Sequence, residues 1–339
     1  MSIRRGLGLS VLGLASIAFA MSAVPASAKK YTMKLSIIVA NDPLHEFIKK
    51  YKTVIEKNSG GQIEAKLYPA AQLGKIPRQI EGLQLGTVEF FGTPTGFLKG
   101  VDSRFQVLEV PGVFNSPLHA HKTITDPDFR SPFLEVGTRK GVKGVSLWMY
   151  GPTSYATMKP VRTLGDFKGR KFRVLATKVE VEIMNRLGAT GVPMPYSETV
   201  PALQRRMIDG VRSNITVMNA TKHHTVAKFI TVVNDTYIPC AGFVSMAWFK
   251  QLPKNLQKAV ADSGREVEDF MYKTAQAYGS RAEQGWRNAG AEVIRLSASD
   301  QKKFMQIVNP IGDEILGKRA DVKAMFELMK KTSKKYTGS

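Results

Sequence analysis

Cysteines and catalytic motifs are both scarce in this chain of 339 residues. Cys240 is its single cysteine, so no internal disulfide can form, and we expect this thiol to be a buried core residue rather than a nucleophile. No Gly-x-Ser-x-Gly elbow, no Walker-type loop ending in Gly-Lys-Ser or Gly-Lys-Thr, and no dinucleotide fingerprint occurs. The sequence therefore predicts neither catalytic residues nor a bound cofactor.

Histidine is also infrequent, with five residues in the chain. His119 and His121 form one close pair and His223 and His224 form another, but neither pair has a carboxylate or cysteine at metal-ligand spacing. We therefore expect these four side chains to be solvated at the surface, and we predict no metal site. The fifth, His45, is considered below with the candidate binding residues.

Acidic residues are few relative to basic ones, because 28 Asp and Glu oppose 49 Lys and Arg, for a formal net charge of +21. Such an excess favours the capture of anions, and it is equally compatible with binding to nucleic acid or to a membrane surface. The basic residues are spread along the chain, however, and only the end from Lys318 to Lys335 is clustered. Because aromatic–basic interleaving, a helix-turn-helix and a zinc pattern are lacking, we predict no nucleic-acid binding. We expect the basic end to be solvated and partly helical.

Long apolar runs are confined to the first residues. Two arginines precede an apolar run at about residues 7–20, and Ala26-Ser27-Ala28 has the small-residue pattern of a cleavage site. A membrane anchor is the alternative, but the run is shorter than the ~20 apolar residues that span a bilayer. We predict a signal peptide at residues 1–28 and export to the periplasm. The remaining chain is long enough for one large or two ordinary domains.

The spacing of apolar residues predicts two successive alternations of strands and helices. The first has strands at 32–39, 63–68 and 88–91, with helices beginning at Asn41 and Pro77. A further strand at 142–150 ends at Gly151-Pro152, which we interpret as a crossing point between domains. The second alternation has strands at 170–175, 191–195 and 210–214 and helices at 179–187 and 199–207, and a long helical pattern covers about 255–289. A repeated β-α-β-α-β unit is typical of a two-lobed protein with mainly parallel strands.

Several short motifs follow one another in a distinctive order along this pattern. They are Ser59-Gly60-Gly61-Gln62-Ile63, Gln72-Leu73-Gly74, Leu85-Gly86-Thr87-Val88-Glu89, Leu108-Glu109-Val110-Pro111-Gly112-Val113-Phe114, Leu164-Gly165-Asp166-Phe167-Lys168-Gly169-Arg170-Lys171-Phe172-Arg173-Val174, and Met194-Pro195-Tyr196-Ser197-Glu198 followed by Asp209-Gly210 and Ser213-Asn214. Each alone marks little more than a turn. In this order they make the chain resemble the solute-receptor subunits of tripartite ATP-independent periplasmic (TRAP) transporters, over nearly the whole of the exported part.

The resemblance implies the two-lobe α/β fold of periplasmic binding proteins, type II-like, with mixed sheets flanked by helices and a long interlobe helix. Residues 29–150 with about 239–278 are expected to form lobe I. Residues from about 151 to 238 with 279–339 are expected to form lobe II. Some members of the family pair through a terminal helix, so a monomer and a dimer both stay open.

Arg173 is the leading candidate for contact with a ligand. It lies between Phe172 and Val174 on a short apolar strand, and its guanidinium can match a carboxylate with two parallel charge-assisted hydrogen bonds. A buried arginine needs a partner, and from the residues alone a salt bridge to Glu180 or Glu198 is an equal alternative. The resemblance implies that the arginine at this position grips the carboxylate of the ligand.

Other candidates lie at the ends of predicted strands. Asn214 can orient a carboxylate through its amide, or it makes only a local turn contact. Tyr196 matches a family position at which an aromatic ring contacts the ligand, and ordinary core packing is its alternative. Asn41 and Thr93 follow strands at the end where parallel sheets bind ligands, and His45 lies at the helix start after Asn41.

One departure from the resemblance bears on the ligand. In relatives of the sialic-acid and dicarboxylate types a second arginine often follows the crossing strand, whereas Thr153 stands at that position here. Its absence, beside Tyr150, Tyr155 and Tyr196, favours a less polar monocarboxylate such as a 2-oxo, 2-hydroxy or aromatic acid.

We therefore expect an exported receptor that performs no chemistry and closes around a small organic acid. It would deliver this ligand to the membrane permease subunits of a TRAP transporter. A receptor of an ATP-driven importer or a sensor is the alternative within the same class. A secreted hydrolase, which would need a paired nucleophile and base, is the alternative outside it.

Overall fold

The computed structural model describes residues 29–338. The predicted signal peptide at 1–28 therefore lies outside the described residues. Between residues 29 and 338, no helix combines the length and the apolar character needed to cross a membrane.

The described chain alternates strands and helices along most of its length. The strands are β1 (Tyr31–Ser36), β2 (Ile63–Tyr68), β3 (Phe90–Pro94), β4 (Val142–Thr157), β5 (Lys171–Val174), β6 (Thr190–Pro193), β7 (Gly210–Asn214), β8 (Phe229–Ser245) and β9 (Glu292–Arg295). The helices are α1 (Pro43–Asn58), α2 (Ile76–Leu85), α3 (Pro117–Thr125), α4 (Pro127–Leu134), α5 (Lys178–Arg186), α6 (Thr199–Gln204), α7 (Ile215–Ala220), α8 (Met246–Phe249), α9 (Lys254–Glu266), α10 (Glu268–Asn288), α11 (Ala298–Val308), α12 (Ile311–Ile315) and α13 (Ala320–Ser333). Short 3-10 turns lie between several of them.

Two long antiparallel strands form the centre of the sheet. β4 and β8 stay paired from Val142 and Ser245 at one end to Thr157 and Phe229 at the other. On one side β8 pairs with β3, which continues in parallel through β1 to β2. On the other side β4 pairs with β7, which continues in parallel through β5 to β6. The strand order β2-β1-β3-β8-β4-β7-β5-β6, with β9 beside β8, thus repeats one parallel unit in each half, as a two-lobe protein requires.

The crossing between the halves lies within β4 rather than at its end. The sequence predicted a strand that stops before Gly151-Pro152, but β4 continues to Thr157. Its pairing with β8 shifts register on both sides of this dipeptide. Proline has no N–H to donate and is normally found at strand edges or irregularities, so the pattern looks like a strand end. β4 instead continues through Gly151-Pro152, and only its pairing with β8 is irregular there.

The predicted helix at about 255–289 is present as α9 and α10, which are separated only by Val267. Gly264 of α9 lies so close to β4 that a Cβ there would stand 2.1 Å from the carbonyl oxygen of Val145. Met271, near the start of α10, packs in the apolar core beneath α1, whereas Trp286 packs in a separate core beneath α6 and α7. The helix therefore links the two lobes, as predicted.

The basic end of the chain is helical, as predicted, but it is not simply solvated, so that part of the prediction is wrong. α13 buries Val322, Phe326 and Met329, which follow a helical stripe, and it packs against α3 and α4. Because α3 and α4 belong to the first half of the chain, this helix lies against elements that we assigned to lobe I. The prediction had placed residues 279–339 together in lobe II.

The prediction of solvated histidines is also wrong for three of the four paired residues, because His119, His121 and His223 are buried. The Nε2 atom of His119 lies 2.9 Å from the carbonyl oxygen of Ser333 in α13. Burial of the His121 imidazole lowers its pKa, although Asp269 lies 3.1 Å away. Cys240 is buried with a free thiol, in agreement with the prediction.

Candidate functional site

A cavity lies between the two halves of the molecule, where the carboxyl ends of β3, β5 and β7 approach the crossing of β4. Ligands of parallel α/β sheets bind at such strand ends. The free volume of the cavity is about 40 Å³, and its wall combines apolar side chains with a few polar groups, as small-molecule sites do. Its polar lining is Tyr150, Thr153, Arg173, Glu180, Tyr196, Arg212, Ser213 and Asn214. Its apolar lining is Ile38, Val39, Leu44, Pro94, Phe97, Leu175, Val217 and Ile238.

Arg173 points into this cavity from β5 and is 1% exposed. Its Nε atom donates to the carbonyl oxygen of Met194 at 3.2 Å, and its Nη2 atom is buried without a hydrogen-bond partner in residues 29–338. Burial lowers the pKa of Arg173 to about 10, so the side chain stays charged at neutral pH. The guanidinium lies 5.2 Å from the ring centre of Tyr196, within cation–π distance.

Neither acid that the sequence offered as a salt-bridge partner pairs with Arg173. Glu180 pairs with Arg212, and Glu198 pairs with Lys75 at 3.1 Å. Within the described part of the chain, no carboxylate lies within salt-bridge distance of Arg173. A buried guanidinium with a free N–H is a ready site for an anionic group.

Arg212 is a second arginine in the cavity wall, and sequence reasoning missed it. It lies on β7, pairs with Glu180, and its Nη2 atom donates to Asp235 Oδ2 at 2.5 Å. It also donates to Thr236 Oγ1 at 2.7 Å and to the hydroxyl of Tyr155 at 3.0 Å. Two carboxylates therefore offset this one cation, and its hydrogen bonds are directed to the protein rather than to the cavity.

Asn214 lines the cavity, and its side chain also has local partners. Its Nδ2 atom donates to the carbonyl oxygen of Pro152 at 2.7 Å, and its Oδ1 atom caps α7 by accepting from the backbone N–H of Thr216 at 2.7 Å. Gly151, with φ 146°, allows this approach, because a Cβ there would stand 2.7 Å from Nδ2. One N–H of the amide is left for other contacts.

Tyr196 is held by a small buried network. Its hydroxyl lies 3.1 Å from Thr221 Oγ1, which in turn lies 2.9 Å from His223 Nδ1. The other ring nitrogen of His223 lies 2.8 Å from Thr199 Oγ1. Burial lowers the pKa of His223 to about 4, so this imidazole is neutral at physiological pH. The residues around His223 do not indicate that it lies beneath Tyr196, so the sequence did not predict this contact.

Thr153 and Tyr150 both line the cavity, and each donates to a buried acid. Thr153 Oγ1 donates to Asp235 Oδ1 at 2.6 Å. The Tyr150 hydroxyl donates to Asp42 Oδ2 at 2.9 Å. Asp42 is fully buried and caps α1 by accepting from the backbone N–H of His45 at 3.0 Å.

The remaining candidates, Asn41, His45 and Thr93, do not line the cavity. Asn41 is exposed in a left-handed conformation with φ 60°, and its backbone N–H donates to His45 Nδ1 at 3.1 Å. Thr93 is fully buried in β3. The strand ends that the sequence predicted do face the site, but Val39 and Pro94 reach it instead.

Groups of three or more His, Cys, Asp or Glu side chains that could hold a metal ion are absent from residues 29–338. The polar groups of the cavity are guanidinium, hydroxyl and amide groups, with one carboxylate that is already paired. This set is suited to an organic anion.

The fold and its interlobe cavity, in which the buried Arg173 has no acidic partner among the described residues, define a two-lobe solute-binding protein. The family model described as bacterial extracellular solute-binding protein, family 7 (DctP) matches residues 36–319. The chain belongs to this family, whose members include the solute receptors of TRAP transporters.

Two named relatives support this family assignment. The chain is 30% identical over 319 residues to the C4-dicarboxylate-binding periplasmic protein DctP of Rhodobacter capsulatus, covering 93% of this chain and 95% of the relative. It is 28% identical to the 2,3-diketo-L-gulonate-binding periplasmic protein YiaO of Escherichia coli K12, covering 87% of this chain and 88% of the relative.

Solved structures show the same fold. A TRAP periplasmic solute-binding protein from Desulfovibrio salexigens with bound orotic acid superimposes with a TM-score of 0.86 at 23% identity, over 91% of this chain and 100% of that one. The sugar-acid-binding protein DctPAm from Advenella mimigardefordensis, in complex with galactonate, gives a TM-score of 0.85 at 23% identity, over 91% and 99% of the two chains. The predicted fold class is thereby confirmed.

These findings also confirm the predicted family and its role in transport. The chain is a TRAP-type receptor for small organic acids, in a family that is periplasmic and works with membrane permease subunits.

Proposed function

We propose that this receptor binds a monocarboxylate with a compact, largely apolar body, holds it between the lobes through Arg173, and delivers it to a TRAP-type permease. The observation that carries the proposal is the charge arrangement of the cavity. Arg173 is a buried cation without an acidic partner in the described residues, whereas the second arginine of the wall, Arg212, is offset by two buried acids.

This arrangement supports one carboxylate rather than two. The first would occupy the free N–H groups of Arg173 as a charge-assisted pair. A second carboxylate would lie beside Arg212, which is already paired with two acids, and near Glu180, which also lines the cavity. Like charges in a site of low dielectric repel strongly, so a dicarboxylate is disfavoured. The R. capsulatus relative is named for dicarboxylates, so the proposal separates this chain from it in ligand preference.

The rest of the lining supports an apolar ligand body. Eight aliphatic, aromatic or proline side chains form one part of the wall, and the ring of Tyr196 covers Arg173. In such a site apolar contact supplies affinity and a few polar groups fix orientation. Asn214, whose second amide N–H is free of the contacts described above, is proposed to orient the carboxylate, with Thr153 beside it.

Closure of the lobes around the ligand is proposed to occur at the irregular crossing of β4 and β8. Lys75, before α2, and Glu198, before α6, approach to 3.1 Å across the cleft. Both side chains are at least half exposed, so this pair contributes at most about 1 kcal/mol and assists closure only weakly. The buried pairing between Arg173 and the ligand carboxylate is the stronger source of closure.

The experiment is a thermal-shift screen of the mature protein against small organic acids, in matched series of monocarboxylates and dicarboxylates. A ligand that binds only the folded protein adds about 2.7 kcal/mol of stability at a hundredfold excess over its Kd. Truncating one partner of a buried hydrogen-bonded charge pair costs about 2–5 kcal/mol, so Arg173→Ala should weaken binding roughly 30- to 4,000-fold. The matched control is Arg205→Ala, because Arg205 is an exposed arginine that follows α6. This variant should bind the ligand as tightly as the wild-type protein does.

Two outcomes would contradict different parts of the proposal. Preferential stabilisation by dicarboxylates would show that the ligand class is wrong while the receptor function stands. Binding of monocarboxylates that survives Arg173→Ala would show that the anchor lies elsewhere.

A further inference from the structure

Three of the four hydroxyl groups that line the cavity have their hydrogens directed to the protein, and Ser213 is the fourth. Tyr150 donates to Asp42 at 2.9 Å, and Thr153 donates to Asp235 at 2.6 Å. Tyr196 lies 3.1 Å from Thr221 Oγ1, whose own hydrogen is directed to a backbone carbonyl at 2.6 Å. Since Thr221 must then accept, Tyr196 is the donor of that bond.

These three hydroxyl groups therefore have no hydrogen left for the ligand, and the oxygen of Thr153 already accepts from the backbone N–H of Thr236 at 3.3 Å. The donors that the cavity offers include the guanidinium of Arg173, one N–H of Asn214 and the hydroxyl of Ser213. A ligand that fits this pattern carries an anionic acceptor for Arg173 and, beside it, a hydrogen-bond donor for a hydroxyl oxygen.

Tyr150 is the most firmly constrained of these hydroxyls. Its partner Asp42 is fully buried, and the two carboxylate oxygens have separate tasks: Oδ1 caps α1 at His45, and Oδ2 accepts from Tyr150. An ionised carboxylate can only accept, so the phenolic hydrogen must point toward Asp42. Burial raises the pKa of Asp42 to about 6, which leaves it mainly ionised at pH 7.5.

We propose that Tyr150, oriented by Asp42, is a specificity-determining residue that selects 2-hydroxy acids over 2-oxo acids of the same carbon skeleton. The inference rests on the proposed function, because it assumes a carboxylate on Arg173. A 2-hydroxyl group can donate to the Tyr150 oxygen. A 2-oxo group carries only lone pairs, so at the same place it would leave a buried acceptor unpaired and face another oxygen.

The experiment measures Kd by calorimetry at pH 7.5 for three matched pairs: lactate and pyruvate, 2-hydroxyisovalerate and 2-oxoisovalerate, and mandelate and phenylglyoxylate. Both enantiomers of each hydroxy acid are used. The wild-type protein should prefer the hydroxy acid by about 10- to 100-fold, the range expected for one unsatisfied buried polar group.

Two variants test the assignment to Tyr150. Tyr150→Phe removes the acceptor and should abolish the preference. Tyr51→Phe is the matched control, because Tyr51 also donates a buried hydrogen bond, to Val260 at 2.9 Å, but does not line the cavity. It should retain the preference of the wild-type protein.

Asp42→Asn should change the preference between 2-hydroxy and 2-oxo acids in the opposite direction to the wild-type protein. The variant keeps α1 capped, because asparagine caps helices about as well as aspartate. The cap requires the amide oxygen to face the backbone N–H of His45, so the amide NH₂ takes the place of Oδ2 and donates to the Tyr150 oxygen. The phenolic hydrogen is then free to point into the cavity. The preference should shrink or reverse in favour of 2-oxo acids.

The outcomes distinguish a failure of the role of Tyr150 from a failure of the proposed function. The role of Tyr150 alone would be overturned if binding depends on Arg173 but the two acids of each pair bind with equal affinity. The same holds if the 2-oxo acid binds more tightly. A preference that persists in Tyr150→Phe would do the same. A protein that binds none of the six acids in an Arg173-dependent manner would overturn the proposed function together with this inference.

Discussion

Arg212 is the side chain on which the buried charge balance of the cavity wall depends. It is 2% exposed, as are its partners Glu180 and Asp235. Arg212→Met preserves much of the side-chain volume, removes the cation and leaves two carboxylates without it. Breaking one buried ion pair costs about 3–5 kcal/mol, because the remaining charge stays buried. With two acids left behind, we expect a loss of about 5 kcal/mol, or a fall in melting temperature of about 10 °C at ~2 °C per kcal/mol.

The assay is thermal unfolding followed by circular dichroism at pH 5 and pH 8, with Arg162→Met as the control. Arg162 makes a bidentate pair with Glu292 at 2.6 and 2.8 Å, but both side chains are solvent-exposed, so its removal should have a much smaller effect on stability. Burial raises the pKa of Glu180, and loss of Arg212 raises it further. The deficit of Arg212→Met should therefore be smaller at pH 5, where protons replace the missing cation. A loss no larger than that of Arg162→Met, or one that does not change with pH, would refute the reasoning.

Two further predictions concern other buried positions. Burial raises the pKa of Glu109 from 4.5 to about 8, so its stabilising contribution is complete below pH 4.5 and is lost as pH rises through 8. Glu109→Gln should remove that part of the decline, measured as melting temperature between pH 5 and pH 9, and an unchanged slope would contradict it. Gly264→Ala should destabilise the protein by about 1–3 kcal/mol in denaturant titrations, because the new methyl group would stand 2.1 Å from the carbonyl oxygen of Val145. Gly279→Ala, in the same pair of helices with nothing within 4 Å, should instead add about 0.5–1 kcal/mol, and a similar effect at both sites would contradict the assigned packing.

The local features of the fold could be predicted from sequence because they depend on neighbouring residues. The strand Ile63–Tyr68 and the strand Gly210–Asn214 have the predicted bounds, and the long helix differs by one residue at each end and by the break at Val267. Apolar spacing and turn residues determine such elements. The position of Arg173 could be singled out for the same reason, since a charged residue inside a short apolar strand is visible without any knowledge of its contacts, and the structure places it in the cavity wall.

The partners of Arg212 were not visible in this way. Glu180 lies 32 positions before it and Asp235 lies 23 positions after it, on different elements. Nothing in the residues around Arg212 indicates which of several acids it meets. His119 was misjudged for the same physical reason, because its burial depends on Ser333, 214 positions away. The stripe of Val322, Phe326 and Met329, in contrast, was visible in the sequence and argued for a packed helix rather than a solvated end.

The two arginines of the cavity also suggest how ligand and closure are linked under the proposed function. Arg212 is neutralised within the protein, so its pairing does not require a ligand. Arg173 has no such partner in residues 29–338, and removing an unpaired guanidinium from water costs several kcal/mol. In an open arrangement this cost is avoided because water reaches the guanidinium, and in a closed one a bound carboxylate offsets it. A ligand shifts an equilibrium only through its different affinity for the two states, and here that difference resides in one charge pair. An uncharged analogue of the same shape should therefore lose both affinity and the ability to favour closure, to the same extent as Arg173→Ala.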